Sequence, residues 1–300
     1  MVEPEKCVVV MTESGLIKRI PSSSFKPQKR AGKGVKTKDD IVSAIIRTNT
    51  VDQLMVFTNQ GYMYRLLVND IPAGTNTSKG ININSLIEFN NNEKPQIIYS
   101  IYRDTDAKYV LFVTKNGLIK KTSLEEYIKT KKKTGIQAIG FKDDDSLAFV
   151  TLVKDEDLIL ITKKGYALRV KGTEFAAAGR LTKGIKGINL GKDDSIIAVL
   201  PIRDSTDCLA IFTEYGLGKR MELSEFLAQG RGTRGTMVYK PTPTSGDLSC
   251  AILVADNDTV LIAGAPNSIC VAGADISKQS RSATGTQIIK GSKVLSASKV

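Results

Sequence analysis

Short apolar runs closed by a polar turn recur six times along the chain. They read VVVM (8–11), LMVF (54–57), VLFV (110–113), LILI (158–161), LAIF (209–212) and VLIA (260–263), and the turns read TESG, TNQG, TKNG, TKKG, TEYG and GAPN. A four-residue apolar run ended by such a turn predicts a strand entering a hairpin. Five turns end in glycine, at Gly15, Gly61, Gly117, Gly165 and Gly216. Asn267 is the expected counterpart in the sixth, because glycine and asparagine tolerate the positive φ of a tight hairpin. Successive turns are 46, 56, 48, 51 and 51 residues apart, and the polar insertion NNNEKP (90–95) accounts for the longest interval.

The remainder of each unit repeats as well. Ten residues past the turn glycine stands a bulky residue, Phe25, Ile71, Tyr127, Phe175 or Phe226, with Ile276 nine past Asn267. A second glycine follows at Gly34, Gly80, Gly135, Gly184, Gly235 and Gly285, always 18 or 19 residues beyond the turn. Further β-rich runs, such as QIIYSIY (96–102) and SLAFVTLV (146–153), complete about four short strands per unit with almost no helix. One four-stranded unit of ~50 residues cannot cover both faces of its own sheet, whereas several arranged radially share cores and leave few open edges. The expected fold is therefore all-β: a six-bladed, propeller-like wheel forming a single domain over residues 1–300. Its blades fall at roughly 6–50, 51–106, 107–154, 155–205, 206–256 and 257–300.

Composition narrows the function. At 300 residues and 41% hydrophobic the chain can bury a core, and it has no run approaching the roughly 20 apolar residues of a membrane helix. The N-terminal MVEPEKC lacks the apolar core of a signal peptide, so a cytoplasmic protein without membrane contact is expected. Cys7, Cys208, Cys250 and Cys270 are scattered without a CxxC pair and read as small apolar strand residues. Histidine is absent altogether, which removes the commonest general base and the usual zinc ligand. No catalysis, no metal and no cofactor are expected. Lysine and arginine outnumber acids 43 to 31, for a net charge of +12, which favours a polyanionic partner.

Laid onto the repeat, the charge forms columns. Four residues past the turn glycine lie Arg19, Arg65, Lys121, Arg169 and Arg220, with Val271 in the sixth unit. Four before the second glycine lie Arg30, Lys131, Arg180, Arg231 and Arg281, and Asn76 is the exception. One before it stand Lys33, Lys79, Lys183 and Arg234. None of these columns holds an acid, and the intervening loops are rich in glycine and hydroxyls, which suits close approach to phosphate oxygens. Matched loops on a wheel would make the columns a belt, able to carry bent duplex by backbone contacts without base reading.

The first unit carries KPQKRAGKGVKTK (26–38), whose centre QKRAGKG resembles the glycine-rich basic heptad called the gyrase A box. Gln28, Lys29, Arg30, Gly32, Lys33 and Gly34 fit its pattern, while Ala31 stands where the family has glycine. With six repeats behind it, the chain resembles the C-terminal DNA-wrapping domain of bacterial DNA gyrase A subunits. That resemblance implies a β-pinwheel, in which blades exchange a strand, and a role in wrapping double-stranded DNA for negative supercoiling. It implies two partners in an A2B2 enzyme, the N-terminal breakage-reunion part of the gyrase A polypeptide and the gyrase B polypeptide; the cleavage tyrosine and the ATP site lie there. The domain alone is expected to be monomeric. Met1 just ahead of the first unit suggests a domain standing by itself, and the ending SKVLSASKV lacks the family's acidic tail.

Competing readings are weaker. GRGTRG (230–235) matches a dinucleotide fingerprint but leads into the strand-like TMVYKP and not into a helix. The recurring acidic clusters Asp39-Asp40, Asp143 to Asp145 and Asp193-Asp194 read as turns between strands. A related wheel in the A polypeptide of topoisomerase IV generally lacks a well-formed box. A propeller serving as a protein-interaction platform would carry aromatic hot spots on its loops, yet aromatics are 6% and the loops are basic. A propeller hydrolase or lyase would need histidine or converging carboxylates.

Overall fold

A computed structural model describes residues 3–24, 40, 42–75, 77–102, 105–129, 134–142 and 144–300. Phe25, the gyrase A box residues 28–34 and Lys131 lie outside them. The first repeat forms β1 (Lys6–Thr12), β2 (Leu16–Pro21) and β3 (Val42–Asn49). The second forms β4 (Gln53–Thr58), β5 (Tyr62–Leu67), β6 (Ile81–Asn82) and β7 (Pro95–Ile101). The third adds β8 (Tyr109–Thr114), β9 (Leu118–Ser123), a single helical turn α1 (Glu125–Ile128), β10 (Ile136–Gln137) and β11 (Leu147–Val153). The fourth has β12 (Leu158–Thr162), β13 (Tyr166–Val170), β14 (Ile185–Lys186) and β15 (Ile196–Pro201). The fifth and sixth comprise β16 (Cys208–Thr213), β17 (Leu217–Glu222), β18 (Thr236–Met237) and β19 (Leu248–Val254), then β20 (Thr259–Ala265), β21 (Ile269–Ala272), β22 (Thr286–Gln287) and β23 (Lys293–Lys299).

Sheets and repeats are offset. The first sheet runs β3-β1-β2-β6, so its fourth strand comes from the second repeat. Likewise β10 joins β5, β14 joins β9, β18 joins β13 and β22 joins β17, always antiparallel. The sixth sheet holds β21-β20-β23 among the described residues. The second glycine makes the exchange possible. Gly235 has φ +81°, and a Cβ there would lie 2.4 Å from the Ala167 carbonyl oxygen on β13; Gly184 has the same φ and stands against Ile119. Only a residue without a side chain lets one backbone lie on the next at that point.

Five core clusters fill the spaces between successive sheets. Between the first and second lie Val9, Met11, Ile17, Leu54, Val56 and Tyr64; between the fourth and fifth lie Ile159, Ile161, Leu209, Ile211 and Phe226. Each central strand is covered on both faces, with Val8 and Val10 on one side of β1 and Val9 and Met11 on the other. That explains why the repeats open with unbroken apolar runs and not with alternation. The strands β3, β7, β11, β15, β19 and β23 are neighbours in turn, and β23 packs beside β3, closing the ring about an axis. Among the described residues the bulky residue after each hairpin plugs the same space: Ile71, Tyr127, Phe175, Phe226 and Ile276 are all buried.

The sixth hairpin departs from expectation. Asn267 does not take a positive φ; the turn passes instead through a cis Ala265–Pro266 peptide bond. In the other five, a threonine three residues before the turn glycine accepts the amide of the residue after it, as when Leu118 donates to Thr114 Oγ1 at 3.1 Å. Of the acidic clusters, Asp145 and Asp194 act at turns as expected, while Asp39 and Asp143 lie outside the described residues. Asp145 accepts from the Asn116 and Ser146 amides, and Asp194 from those of Lys164 and Ser195. The four cysteines are free and buried.

Candidate nucleic-acid interface

The basic columns separate into two populations. The first column, expected on the exposed belt, is drawn toward the neighbouring blade: Lys121 and Arg220 are buried, and Arg19, Arg65 and Arg169 are half-buried. Arg19 sends Nε to the Ile71 carbonyl at 3.2 Å and sits 3.9 Å from Glu5. Arg65 donates to the Ile128 carbonyl at 3.0 Å. Lys121 is buried, 2.5 Å from Asp155, 3.2 Å from the Gly172 carbonyl and 4.8 Å from the centre of the Tyr109 ring. Arg169 pairs with Asp157 at 2.9 Å and reaches the Phe226 carbonyl at 3.3 Å. Arg220, 7% exposed, donates to the Ile276 carbonyl at 2.7 Å and pairs with Asp256.

Every acceptor carbonyl belongs to the following repeat, at or near its bulky plug residue. The column is therefore a set of braces between blades. A cation drawn out of water needs a counter-charge, backbone acceptors or both, and each of these five has at least one. For Lys121 and Arg220, which burial takes off the surface, the expectation of a free belt is corrected; Arg19, Arg65 and Arg169 keep part of their surface.

The described members of the other two columns reach the surface. Arg180, Arg231, Arg281, Lys79, Lys183 and Arg234 sit on loops between the plug residue and the exchanged strand. Those loops dock on β2, β9, β13 and β17, the strands farthest from the axis within each repeat's own hairpin, so they share the perimeter. Arg180 and Arg281 lie 3.6 and 3.8 Å from Glu126 and Glu225 of the preceding blade. Surface pairs this loose contribute about 0–1 kcal/mol and yield readily to a phosphate. Arg231 donates to the Lys186 carbonyl at 3.2 Å, and Arg234 lies 4.3 Å above the Tyr166 ring. Lys79 and Lys183 are exposed.

One group of cations escaped the sequence reading. Lys18, Lys120 and Lys219, three residues past a turn glycine, are 4%, 2% and 1% exposed. Each Nζ donates to carbonyls of the next blade's perimeter loop, joined for Lys120 by the Ala138 carbonyl of its own repeat. Lys18 donates to Thr75 at 3.0 Å and Ser78 at 2.7 Å. Lys120 donates to Ala138 at 2.7 Å, Gly179 at 3.4 Å and Arg180. Lys219 donates to Ser280 at 2.9 Å, Arg281 at 2.8 Å and Ala283 at 2.7 Å. Burial pushes the ammonium groups of Lys120 and Lys219 down to about 8 and lowers that of Lys18. Their signal was present in LIKRI, LIKKT and LGKRM: two adjacent cations in a strand must face opposite sides of the sheet, so one of them points into a blade interface.

Among the described residues no cluster of acids, cysteines or histidines could hold a metal ion, and no helix is long and apolar enough to cross a membrane.

The repeat and its geometry have counterparts. A family model described as the DNA gyrase C-terminal domain, a beta-propeller, matches residues 8–49, 52–94, 108–154, 156–203, 209–247 and 271–297, one segment per repeat. The chain is 35% identical over 309 residues to the DNA gyrase A polypeptide of Clostridium acetobutylicum; the match covers all of this chain and 37% of that one, so the chain spans little over a third of that relative. Among solved structures, a DNA gyrase A C-terminal domain superposes with a TM-score of 0.87 at 27% identity, covering 98% of this chain and 99% of that one. A topoisomerase IV C-terminal domain gives 0.75 at 28% identity, covering 100% and 94%. The chain belongs to the DNA gyrase C-terminal domain family of β-propellers.

Proposed function

We propose that this wheel binds duplex DNA around its perimeter through phosphate contacts, bends it, and thereby serves as the wrapping element of a DNA gyrase. The observation that carries the reading is the set of perimeter loops in which Arg180, Lys183, Arg231, Arg234, Arg281 and Lys79 recur at equivalent positions. Bending 20–30 bp by 40–90° costs on the order of 1–6 kcal/mol, so a path around a wheel needs small gains spread along its length. Contacts to the backbone supply them without regard to sequence. The wheel adds no bond chemistry of its own; strand cleavage belongs to the N-terminal part of the gyrase A polypeptide and ATP hydrolysis to the gyrase B polypeptide, in the bacterial cytoplasm. The box residues Gln28 to Gly34 favour this reading over a topoisomerase IV role.

Ligation of nicked circular DNA with the purified chain tests it. A linking-number shift that grows with protein and disappears at high salt is expected. Binding without any shift would refute wrapping.

A further inference from the structure

Backbone geometry gives the three buried lysines a consequence for the perimeter. In a trans peptide the carbonyl of one residue and the N–H of the next point in opposite directions, and the only cis bond among the described residues is Ala265–Pro266. The carbonyls of Gly179 and Arg180 converge on Lys120, so the amides of Arg180 and Leu181 face away from it. The carbonyls of Ser280, Arg281 and Ala283 converge on Lys219, so the amides of Arg281, Ser282 and Thr284 do the same. Ser78 on Lys18 turns the amide of Lys79 outward. None of these six amides donates to a partner among the described residues.

We infer that Lys18, Lys120 and Lys219 are positioning residues for phosphodiester binding: each holds the next blade's loop with carbonyls inward and amides outward, ready for phosphate oxygens. The inference rests on the wrapping reading and deepens it, because it adds sequence-independent backbone donors to the arginines and lysines already described. Buried ammonium groups are poor devices for stability, since desolvation offsets the attraction they gain. Their recurrence at three equivalent strand seats, each beneath a loop that carries perimeter cations, fits a role in arrangement. The pattern alternates. In the second and fourth repeats the same seat holds Tyr64 and Leu168, so the loop at 230–235 has no lysine beneath it and is an internal control. Gly232 there is tied instead by its amide to the Gly187 carbonyl at 2.7 Å.

The test replaces all three lysines with methionine, which keeps the stem and removes the donors. Three amides report on the loops: Ser78 donates to Thr75, Thr182 to Gly179 and Ala283 to Ser280, at 3.3, 3.2 and 3.2 Å. Amide exchange at these sites is expected to accelerate at least tenfold while Gly232 is unchanged. Affinity for mixed-sequence duplex should fall at least fivefold with the same salt slope, because no exposed cation has been lost. Unchanged exchange at the three reporters overturns the positioning role, and faster exchange with unchanged affinity overturns its link to phosphate. Single Lys219→Met reads Ala283 alone should the triple variant fail to fold. If the unaltered chain binds duplex without shifting linking number, wrapping fails, while exchange and affinity still decide the role of the lysines.

Discussion

Replacing Arg180, Lys183, Arg231 and Arg234 with alanine removes four surface cations from adjacent blades and leaves every brace in place. If each neutralises one phosphate, the dependence of log affinity on log salt should become shallower by about 3.6, at 0.9 per phosphate. The six surface column residues together would give a slope of about −5.4 by the same rule, or roughly three decades of affinity lost between 50 and 200 mM salt. The quadruple variant should therefore retain a slope near −1.8 and lose only about one decade. The ion pairs of Arg180 with Glu126 and Arg281 with Glu225 are too loose and solvated to alter this count. Fluorescence anisotropy of a labelled mixed-sequence duplex, titrated at four salt concentrations, measures it. Arg169→Met is the control, since Arg169 is held between Asp157 and the Phe226 carbonyl and should leave the slope untouched. An unaltered slope in the quadruple variant, or a shallower one in the control, would show that the perimeter loops are not where phosphate is bound.

Other tests follow from individual side chains. Arg220→Met releases Asp256 to solvent but strips the Ile276 carbonyl of its donor, and should cost about 1–3 kcal/mol in urea denaturation without changing the salt slope; a stability within error of the parent would show that the braces hold little. Lys120 and Lys219 titrate near 8 in the fold, where burial outweighs the favourable Glu126 and Glu225 and Arg180 opposes the charge on Lys120. The unfolded chain keeps those protons to about 10.4. Between these values it binds more protons than the fold, so unfolding free energy should rise with pH. The parent should accordingly gain on Lys120→Met/Lys219→Met between pH 8 and 10, and a constant gap would contradict the shift. Alanine at Lys29, Arg30 and Lys33, on the family resemblance, should leave most affinity intact while abolishing the linking-number shift; a normal shift would remove the box from the wrapping role.

The six repeats, their hairpins and the plug residues were legible because each is a local signal with a fixed offset. The loops bearing Arg180, Arg231 and Arg281 were legible for the same reason. What escaped was the side of the sheet. Position within the repeat treats Arg19 and Arg180 alike, yet Arg19 stands in a strand covered on both faces and Arg180 on a loop. The acids that close on the braces, Glu5, Asp155, Asp157 and Asp256, precede a hairpin in the chain and could have been paired with them. The offset between repeat and sheet was not readable from periodicity, because a donated strand and a retained one have the same spacing; only family resemblance implied it. Asn267 shows a further limit, since a residue that tolerates positive φ need not adopt it.

The donated strands also decide where this chain can be cut. A fragment ending at Asn49, the end of the first repeat's last strand, would leave β2 with an unsatisfied ladder of amides and carbonyls, a template for aggregation. Ending just past Asn82 instead would supply Ile81 and Asn82 to that ladder while leaving the second repeat's own strands without β7. No cut point serves both neighbours, so the smallest excisable piece is the entire ring, and shortening this protein by one blade requires grafting sequence across two repeats.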